Sequence, residues 1–320
     1  KMKTYKIVFT CQSVVNEIPN SQTIFGAICN ILLQTRGKDA LDEYISSLNV
    51  KAKMVHSSMF LNHTLPMIKK NVFSLEYINT LLGSVKAEDK LRVLESAKRY
   101  KQISSMSERV YKNYVENNKI EALTVDLQEK SNDFEIRNGL LKYSNETFDT
   151  EMDSILLTRN GFPEKENDKT LFYSNAIYYP KGTEFCIYVK TEESEDYLKS
   201  IFNYFEYFGV GSRRTVGDNS FRLERIEKWN QSSDMESKLV LSRYIPNDEE
   251  VDYGNSFYKL TSNVYRTSKS YAGGYVSGRF MHLMEGSFMR FLENKEYYGK
   301  VLESCVNGKT VYHYAIGFVL

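Results

Sequence analysis

The chain lacks the cysteine pairs that build small metal-bound or disulfide-bonded domains. Its four cysteines, Cys11, Cys29, Cys186 and Cys305, are scattered with no CxxC pair, which excludes a zinc ribbon and leaves no disulfide framework to read. The four histidines, His56, His63, His282 and His313, form no HxxxH array. No apolar run approaches the roughly 20 residues that span a bilayer, and the first residues carry no signal-peptide pattern. A soluble, cytoplasmic protein with no membrane partner is expected. An excess of one charge is missing too, since 42 Lys+Arg stand against 41 Asp+Glu for a formal net charge of +1. The bulk positive field of a non-specific nucleic-acid binder is therefore absent, and any RNA or DNA site has to be a local basic patch.

What the chain does have is length and rings. Its 320 residues are comfortable for two domains. The 24 tyrosines and 18 phenylalanines serve β-rich cores and base stacking equally well, so they do not choose between them.

Periodicity then orders the elements. "KTYKIVFT" (3–10) alternates as a half-buried strand. "SQTIFGAICNILLQT" (21–35) sets Ile24, Ile28, Ile31 and Leu32 on one helical stripe behind a Ser/Asn cap. Residues 53–61 read as a strand, and 88–102 as a helix whose Lys90, Arg92, Lys98, Arg99 and Lys101 solvate an outer face. Strands are expected at 119–128, 133–138, 154–159, 171–178 and 184–190. The polar "RNGFPEKENDKT" (159–170), with Gly161 and Pro163, suggests a hairpin arm or a disordered tip. "SEDYLKSIFNYFEYFG" (194–209) is the clearest helix, stopped by Gly209, and "SFRLERIE" (220–227) alternates again. Strand–helix–strands–helix–strand is the ferredoxin-like βαββαβ order with long insertions. The expected fold class is α+β, with two ferredoxin-like (RRM-like) domains: 1–232, carrying an inserted arm at about 159–171, and a smaller β-rich unit at 233–320.

Between the clearest helix and the next strand lies "YFGVGSRRTVGDNSF". A Rossmann fingerprint needs a third glycine where Arg214 stands, and it runs from strand to helix, the opposite polarity. A Walker A loop ends in G-K-[ST], which is absent. What remains is Gly209, Gly211 and Gly217 with Ser212, Arg213, Arg214 and Thr215 between them. Glycines permit positive φ and close backbone approach to an anion, and arginines fork onto phosphate oxygens. The same spacing also fits a helix cap followed by a hairpin whose arginines face water.

The order of motifs resembles the RAMP superfamily of CRISPR RNA-binding proteins, and within it the subunit of type III-A (Csm) effector complexes that caps the 5′-handle end of the guide RNA. "IPNSQTIFGAICN" (18–30) resembles the family's first-helix signature, "LPMI" (65–68) its strand exit, and "YFGVGSRRTVGDNSF" its glycine loop. "VSGRFMHLMEGSFM" (276–289) and "VYHYAIGF" (311–318) resemble its C-terminal segments. The chain departs from the pattern at Asn219, where the loop commonly ends in glycine, at the inverted Ser277–Gly278 order, and at Met67–Ile68, which lacks a second proline. Asn tolerates left-handed backbone, so the turn is expected to survive.

The resemblance implies a non-catalytic RNA-binding subunit that holds the repeat-derived 5′ handle of the crRNA and needs no metal or cofactor. Its partners would be the large polymerase-palm subunit, the first backbone RAMP subunit and, in the assembled complex, target RNA. The implied RNA-binding residues are Gly209, Gly211, Ser212, Arg213, Arg214, Thr215, Gly217 and Asn219 of the loop, with Thr23, Phe25, Ser277, Arg279, and Arg159 and Asn160 of a thumb-like arm. Two other readings compete. A metal-independent endoribonuclease would use His56, His63 or His313 as general acid or base. A free single-strand RNA binder would want a larger positive charge than this chain carries.

Overall fold

The computed structural model describes residues 1–70, 75–148, 152–160, 171–230, 236–267 and 272–320. The chain begins with β1 (Lys3–Cys11), α1 (Ser21–Arg36), α2 (Lys38–Leu48) and β2 (Met54–Leu61). An insertion follows: β3 (Thr64–Pro66), α3 (Leu75–Ser84), α4 (Lys90–Lys101), β4 (Ser105–Ser107), α5 (Glu108–Val110), α6 (Ile120–Glu129), β5 (Phe134–Arg137) and β6 (Leu140–Tyr143). Next come β7 (Asp153–Asn160), β8 (Leu171–Tyr178), β9 (Glu184–Thr191), α7 (Glu195–Phe202), α8 (Phe205–Phe208) and β10 (Phe221–Lys228). The last stretch holds β11 (Ser237–Leu239), β12 (Val251–Phe257), β13 (Leu260–Arg266), β14 (Val276–Leu283), β15 (Phe288–Phe291), β16 (Val301–Val306) and β17 (Lys309–Tyr314). The molecule is α+β, as expected.

The central sheet runs β10–β1–β9–β2, with every pair antiparallel. Counting only the strands of the βαββαβ unit, this is the order 4-1-3-2 of a ferredoxin-like domain. Tyr5, Ile7 and Phe9 of β1 face one way because side chains alternate along a strand. They meet Ile24, Ile28 and Ile31 of α1 and Leu198, Ile201 and Phe202 of α7 in one core. Phe9 stacks on Phe205 at 5.5 Å and meets Phe202 edge-on at 6.0 Å. Asn20 caps α1 by accepting from Thr23 N–H, and Ser194 caps α7 by accepting from Tyr197 N–H.

The other face of the sheet is closed by the insertion. Lys6 Nζ lies 2.5 Å from Glu108 Oε1, and Tyr188 donates its hydroxyl to the same oxygen at 2.8 Å. Two expectations need correcting here. Residues 119–128 are not a strand but helix α6, because Ile120, Leu123, Thr124 and Leu127 repeat at helical spacing and bury together. The helix expected at 194–209 is broken after Phe202, and α8 restarts at Phe205.

From Ser237 on, the described strands form the sheet β11–β15–β12 and the two-stranded pairs β13–β14 and β16–β17. Leu239, Leu241, Tyr314, Ile316 and Phe318 share the core of the central sheet. Tyr314 fixes this junction. Its hydroxyl accepts from His56 N–H at 2.9 Å and donates to His56 O at 3.1 Å. The expected boundary near 232 falls within 231–235, outside the described residues. The arm is a hairpin, β7 paired with β8 up to Asn160 opposite Leu171. Its tip, 161–170, and the side chains of Arg159 and Asn160 lie outside the described residues.

Candidate nucleic-acid interface

The glycine loop starts where α8 stops. Gly209 has φ 64°, and a Cβ there would come 2.8 Å from Arg214 Cβ, so the loop folds back over this position. Gly211, at φ 94°, sits where a Cβ would meet the Thr23 methyl at 2.9 Å. Its side-chain direction is therefore filled by α1, and glycine is required by packing within the chain as well as by backbone conformation. Arg213 adopts a left-handed conformation, Arg214–Val216 form a single 3₁₀ turn, and Gly217 closes it at φ 90°.

Asn219 anchors the return. It takes up the left-handed backbone expected of it, with φ 55°. Its Oδ1 accepts from Asn16 N–H at 2.8 Å, its own N–H donates to Val14 O at 3.0 Å, and its carbonyl accepts from Val210 N–H at 2.9 Å. Asn16 Nδ2 donates to Asp218 Oδ2 at 3.0 Å. The loop is thus pinned at both ends, and its Ser212–Gly217 turn is what remains presented.

Three walls meet beside it. The loop gives Gly211, Ser212, Arg214 and Asn219, while the start of α1 gives Asn20, Gln22, Thr23 and Gly26. The β13–β14 hairpin gives Asn263, Tyr265, Arg266 and Ser277. The groove they enclose has a volume of about 520 Å³. Gly26 leaves its wall open, with nothing within 4 Å of where a Cβ would stand. Arg243 sets the third wall against the first helix: its N–H donates to Ser21 Oγ at 2.9 Å, its guanidinium bonds Asn263 Oδ1, and Glu285 holds its Nε at 3.3 Å. A register shift between Tyr265 and Arg266 leaves Ser277 as the extra residue of a β-bulge, the device that re-aims side chains at a strand edge. Charged groups on the groove lining are Arg214 and Arg266 against Glu17. The lining thus carries one positive charge in excess, and it is rich in the hydroxyl and amide groups that bond phosphate and ribose oxygens.

The expected site residues therefore separate. Thr23, Gly211, Ser212, Arg214, Asn219 and Ser277 line the groove. Thr215 and Gly217 are exposed on the turn beyond it, and Gly209 is buried at its root. Arg213 turns the backbone and its carbonyl accepts from Val216 N–H. Phe25 is a core residue, buried and stacked on Tyr314 at 5.3 Å. Its ring also packs against Tyr44 of α2 at 6.3 Å and is not presented to the groove. Arg279 is exposed on β14 opposite Val264, outside the groove lining. Sequence reasoning missed Asn263, Tyr265 and Arg266. Their strand alternation was visible, but nothing local says that β13 lies beside α1.

The histidines are elsewhere. His56, His282 and His313 are buried. His282 and His313 share a hydrogen bond between their Nε2 atoms at 2.6 Å, and Phe280 stacks on His313 at 3.9 Å. Burial lowers His56 to about 4. Burial and then the Arg243 charge lower His282 to about 4, and burial with the neighbouring His282 lowers His313 to about 3. All three are neutral, enclosed rings. His63 is exposed on the turn after β2, with its ring 5.5 Å from Phe148, and does not line the groove.

A ferredoxin-like sheet, a glycine loop after its second helix and a first helix whose start lines the same groove are on one side of the molecule. No protein-family model matches the chain, and no curated protein matches it. Solved structures do. The chain is similar over 98% of its length, with 16% identity and a TM-score of 0.61, to 99% of a chain in a crystal structure of the Csm3–Csm4 subcomplex of the type III-A CRISPR–Cas interference complex. It is similar over 99% of its length, with 15% identity and a TM-score of 0.55, to 97% of a chain in a Csm1–Csm4 cassette bound to pppApA. A Csm1–Csm4 cassette with AMPPNP gives 17% identity and a TM-score of 0.52. Csm4 is the component these assemblies have in common, and the fold of this chain is Csm4-like. No described helix is long and apolar enough to cross a membrane.

Proposed function

We propose that this protein is a crRNA-binding subunit of a type III-A CRISPR effector complex, acting in the cytoplasm without catalysing a reaction of its own. Its task is to hold the repeat-derived 5′ handle of the guide and to bridge a large polymerase-palm subunit of the Csm1 kind to a backbone RAMP subunit of the Csm3 kind. The observation that carries this reading is the groove between the glycine loop, the start of α1 and the β13–β14 hairpin. Arg214 and Arg266 supply charge there, and Ser212, Thr23, Asn20 and Ser277 supply hydrogen-bonding groups. Single-stranded RNA fits such a lining because its phosphates pair with arginine while its 2′-hydroxyls bond neutral polar groups.

The β7–β8 hairpin extends this role. Leu156 and Tyr173 are exposed along it at 64% and 66%, which suits a surface that lies against something else. The arm serves as a thumb across the guide–target duplex, with Arg159 and Asn160 at its outer end, and displaces a base pair at fixed register.

Affinity purification of the tagged protein, with sequencing of co-purifying RNA, tests the assignment. Guide RNAs sharing one 5′ end, recovered with a large subunit, are expected. RNA with heterogeneous ends, or none, would refute it.

A further inference from the structure

A second basin of about 540 Å³ lies at the end of α1, whose start lines the groove. Its walls come from the end of α1, the α7–α8 break and the start of β10, and it presents Arg36, Lys199, Asn203, Tyr204, Tyr207 and Arg222. Tyr207 is 79% exposed, an unusual position for a ring that makes one edge-on contact, with Tyr204 at 6.4 Å. The break between α7 and α8 creates this arrangement, since it turns Asn203, Tyr204 and Tyr207 outward while Phe205 stays in the core. The carboxylate in the basin is already engaged. Arg222 grips Glu206 Oε1 through Nε at 3.0 Å and Nη2 at 2.9 Å. Arg36 is held in place over the Tyr197 ring at 5.1 Å and by a bond to Ser200 Oγ, and keeps further N–H donors for a ligand. Lys199 reaches Asp196 only at 3.7 Å, with its side chain half exposed.

An exposed ring beside two cations whose local carboxylate is neutralised is the lining that single-stranded nucleic acid uses. The ring stacks a base of any identity, and the cations take the phosphate. The glycine loop links the two sites. Glu206 and Tyr207 lie just before Gly209, Arg222 just after Asn219, and Ser220 Oγ donates to Glu206 O at 2.8 Å.

We propose that this basin is a second RNA subsite, which receives one unpaired nucleotide as the strand leaves the groove past the glycine loop. The base stacks on Tyr207, and the phosphate lies between Arg36 and Lys199. The proposal rests on the reading of the groove as an RNA site and adds a position to it. A protein partner is the other occupant such a surface could take, but the cationic lining and single exposed ring favour a nucleotide.

The test uses the full chain and a single-stranded RNA oligonucleotide carrying 2-aminopurine at successive positions, whose fluorescence falls on stacking. One position is expected to be quenched by the wild-type protein. Tyr207→Ala should abolish that quenching and weaken binding about tenfold, within the range expected when one base–ring stack is removed. Arg36→Ala with Lys199→Ala should reduce the salt slope of binding by about 0.7, for the one phosphate that is no longer neutralised. Tyr207 is on the surface, so its removal leaves folding intact. If Arg214→Ala weakens binding while Tyr207→Ala binds and quenches as wild type does, the groove stands and this subsite falls. If the wild-type protein binds no oligonucleotide, both fall. If Tyr207→Ala leaves RNA binding untouched and instead releases a neighbouring subunit from the assembled complex, the basin is a protein dock and the proposal is wrong.

Discussion

The groove beside the glycine loop and the histidine pair behind it meet at the β13–β14 hairpin, which carries His282, while His313 comes from β17. Tyr265 lines the groove, and its ring lies 4.9 Å from the His313 ring. Both regions collect residue types that chemistry uses, arginine and serine in one, histidine and tyrosine in the other. They differ in access. Arg214 and Ser212 border open volume, whereas His282 and His313 are enclosed, satisfy each other through Nε2 and are kept neutral by burial. The Lys6–Glu108–Tyr188 cluster belongs with the histidines: it is a buried charge network that ties the insertion to the sheet. A catalytic reading of the histidines draws on residue type alone. Burial reassigns them to holding the hairpin in place.

Substitutions in the two regions should therefore fail in different ways. The largest effect is expected from Glu108→Ala, which leaves the 2%-exposed Lys6 ammonium without its partner. Breaking such a pair costs about 3–5 kcal/mol, read as a lower urea midpoint. Folded protein at low temperature should still bind RNA as wild type does. An unchanged midpoint would mean that this network does not support the fold.

The histidines should show themselves through pH. Their folded values lie below the ordinary 6.5, so the unfolded chain takes up protons first as pH drops. The histidine contribution is then level above pH 6.5 and declines as pH falls below it, at up to about 1.4 kcal/mol per unit for each histidine. Urea midpoints between pH 6.5 and 5 should flatten in His313→Gln relative to wild type, and equal slopes would contradict the burial account. Repeat-containing RNA should stay intact near neutral pH, with or without divalent metal, since none of His56, His63 and His313 lines the groove. Cleavage that disappears in His56→Ala, His63→Ala or His313→Ala would restore the nuclease reading.

The glycine loop joins the two kinds of failure. Gly211→Val adds a branched side chain at φ 94° against the Thr23 methyl, strain of about 1–3 kcal/mol, and should lower both stability and RNA binding. The smallest effect on stability is expected from Arg213→Ala with Arg214→Ala, within about 0.5 kcal/mol. This pair should instead flatten the salt dependence of RNA binding by about 0.7 for each phosphate left without its arginine. A drop in stability with an unchanged slope would move the loop into the closed class.

Much of the scaffold was legible because local periodicity reports which face of an element is buried. The stripe of Ile24, Ile28 and Ile31, the alternation of β1 and β10, and the left-handed turn at Asn219 all follow from residues within one or two turns of each other. The same rule misled where the pattern was short. Residues 119–128 alternate well enough to suggest a strand, yet the spacing of Leu123, Thr124 and Leu127 is helical. Phe25 carried a family motif but lies on the buried stripe of α1. The third wall of the groove was not legible at all. Asn263 and Arg266 come beside Thr23 through long-range packing, set by Arg243 bonding both Ser21 and Asn263, and no local pattern encodes that.

The central claim is that guide RNA lies in the groove rather than elsewhere on the chain. Ultraviolet crosslinking of complex-bound guide RNA carrying 4-thiouridine through its 5′ handle, followed by mass spectrometry of the peptides, tests it most directly. Crosslinks are expected within 17–27, 210–219 and 263–267, the three walls that face one another. Crosslinks confined to α4, whose basic residues are exposed far along the sequence from all three walls, would contradict the account.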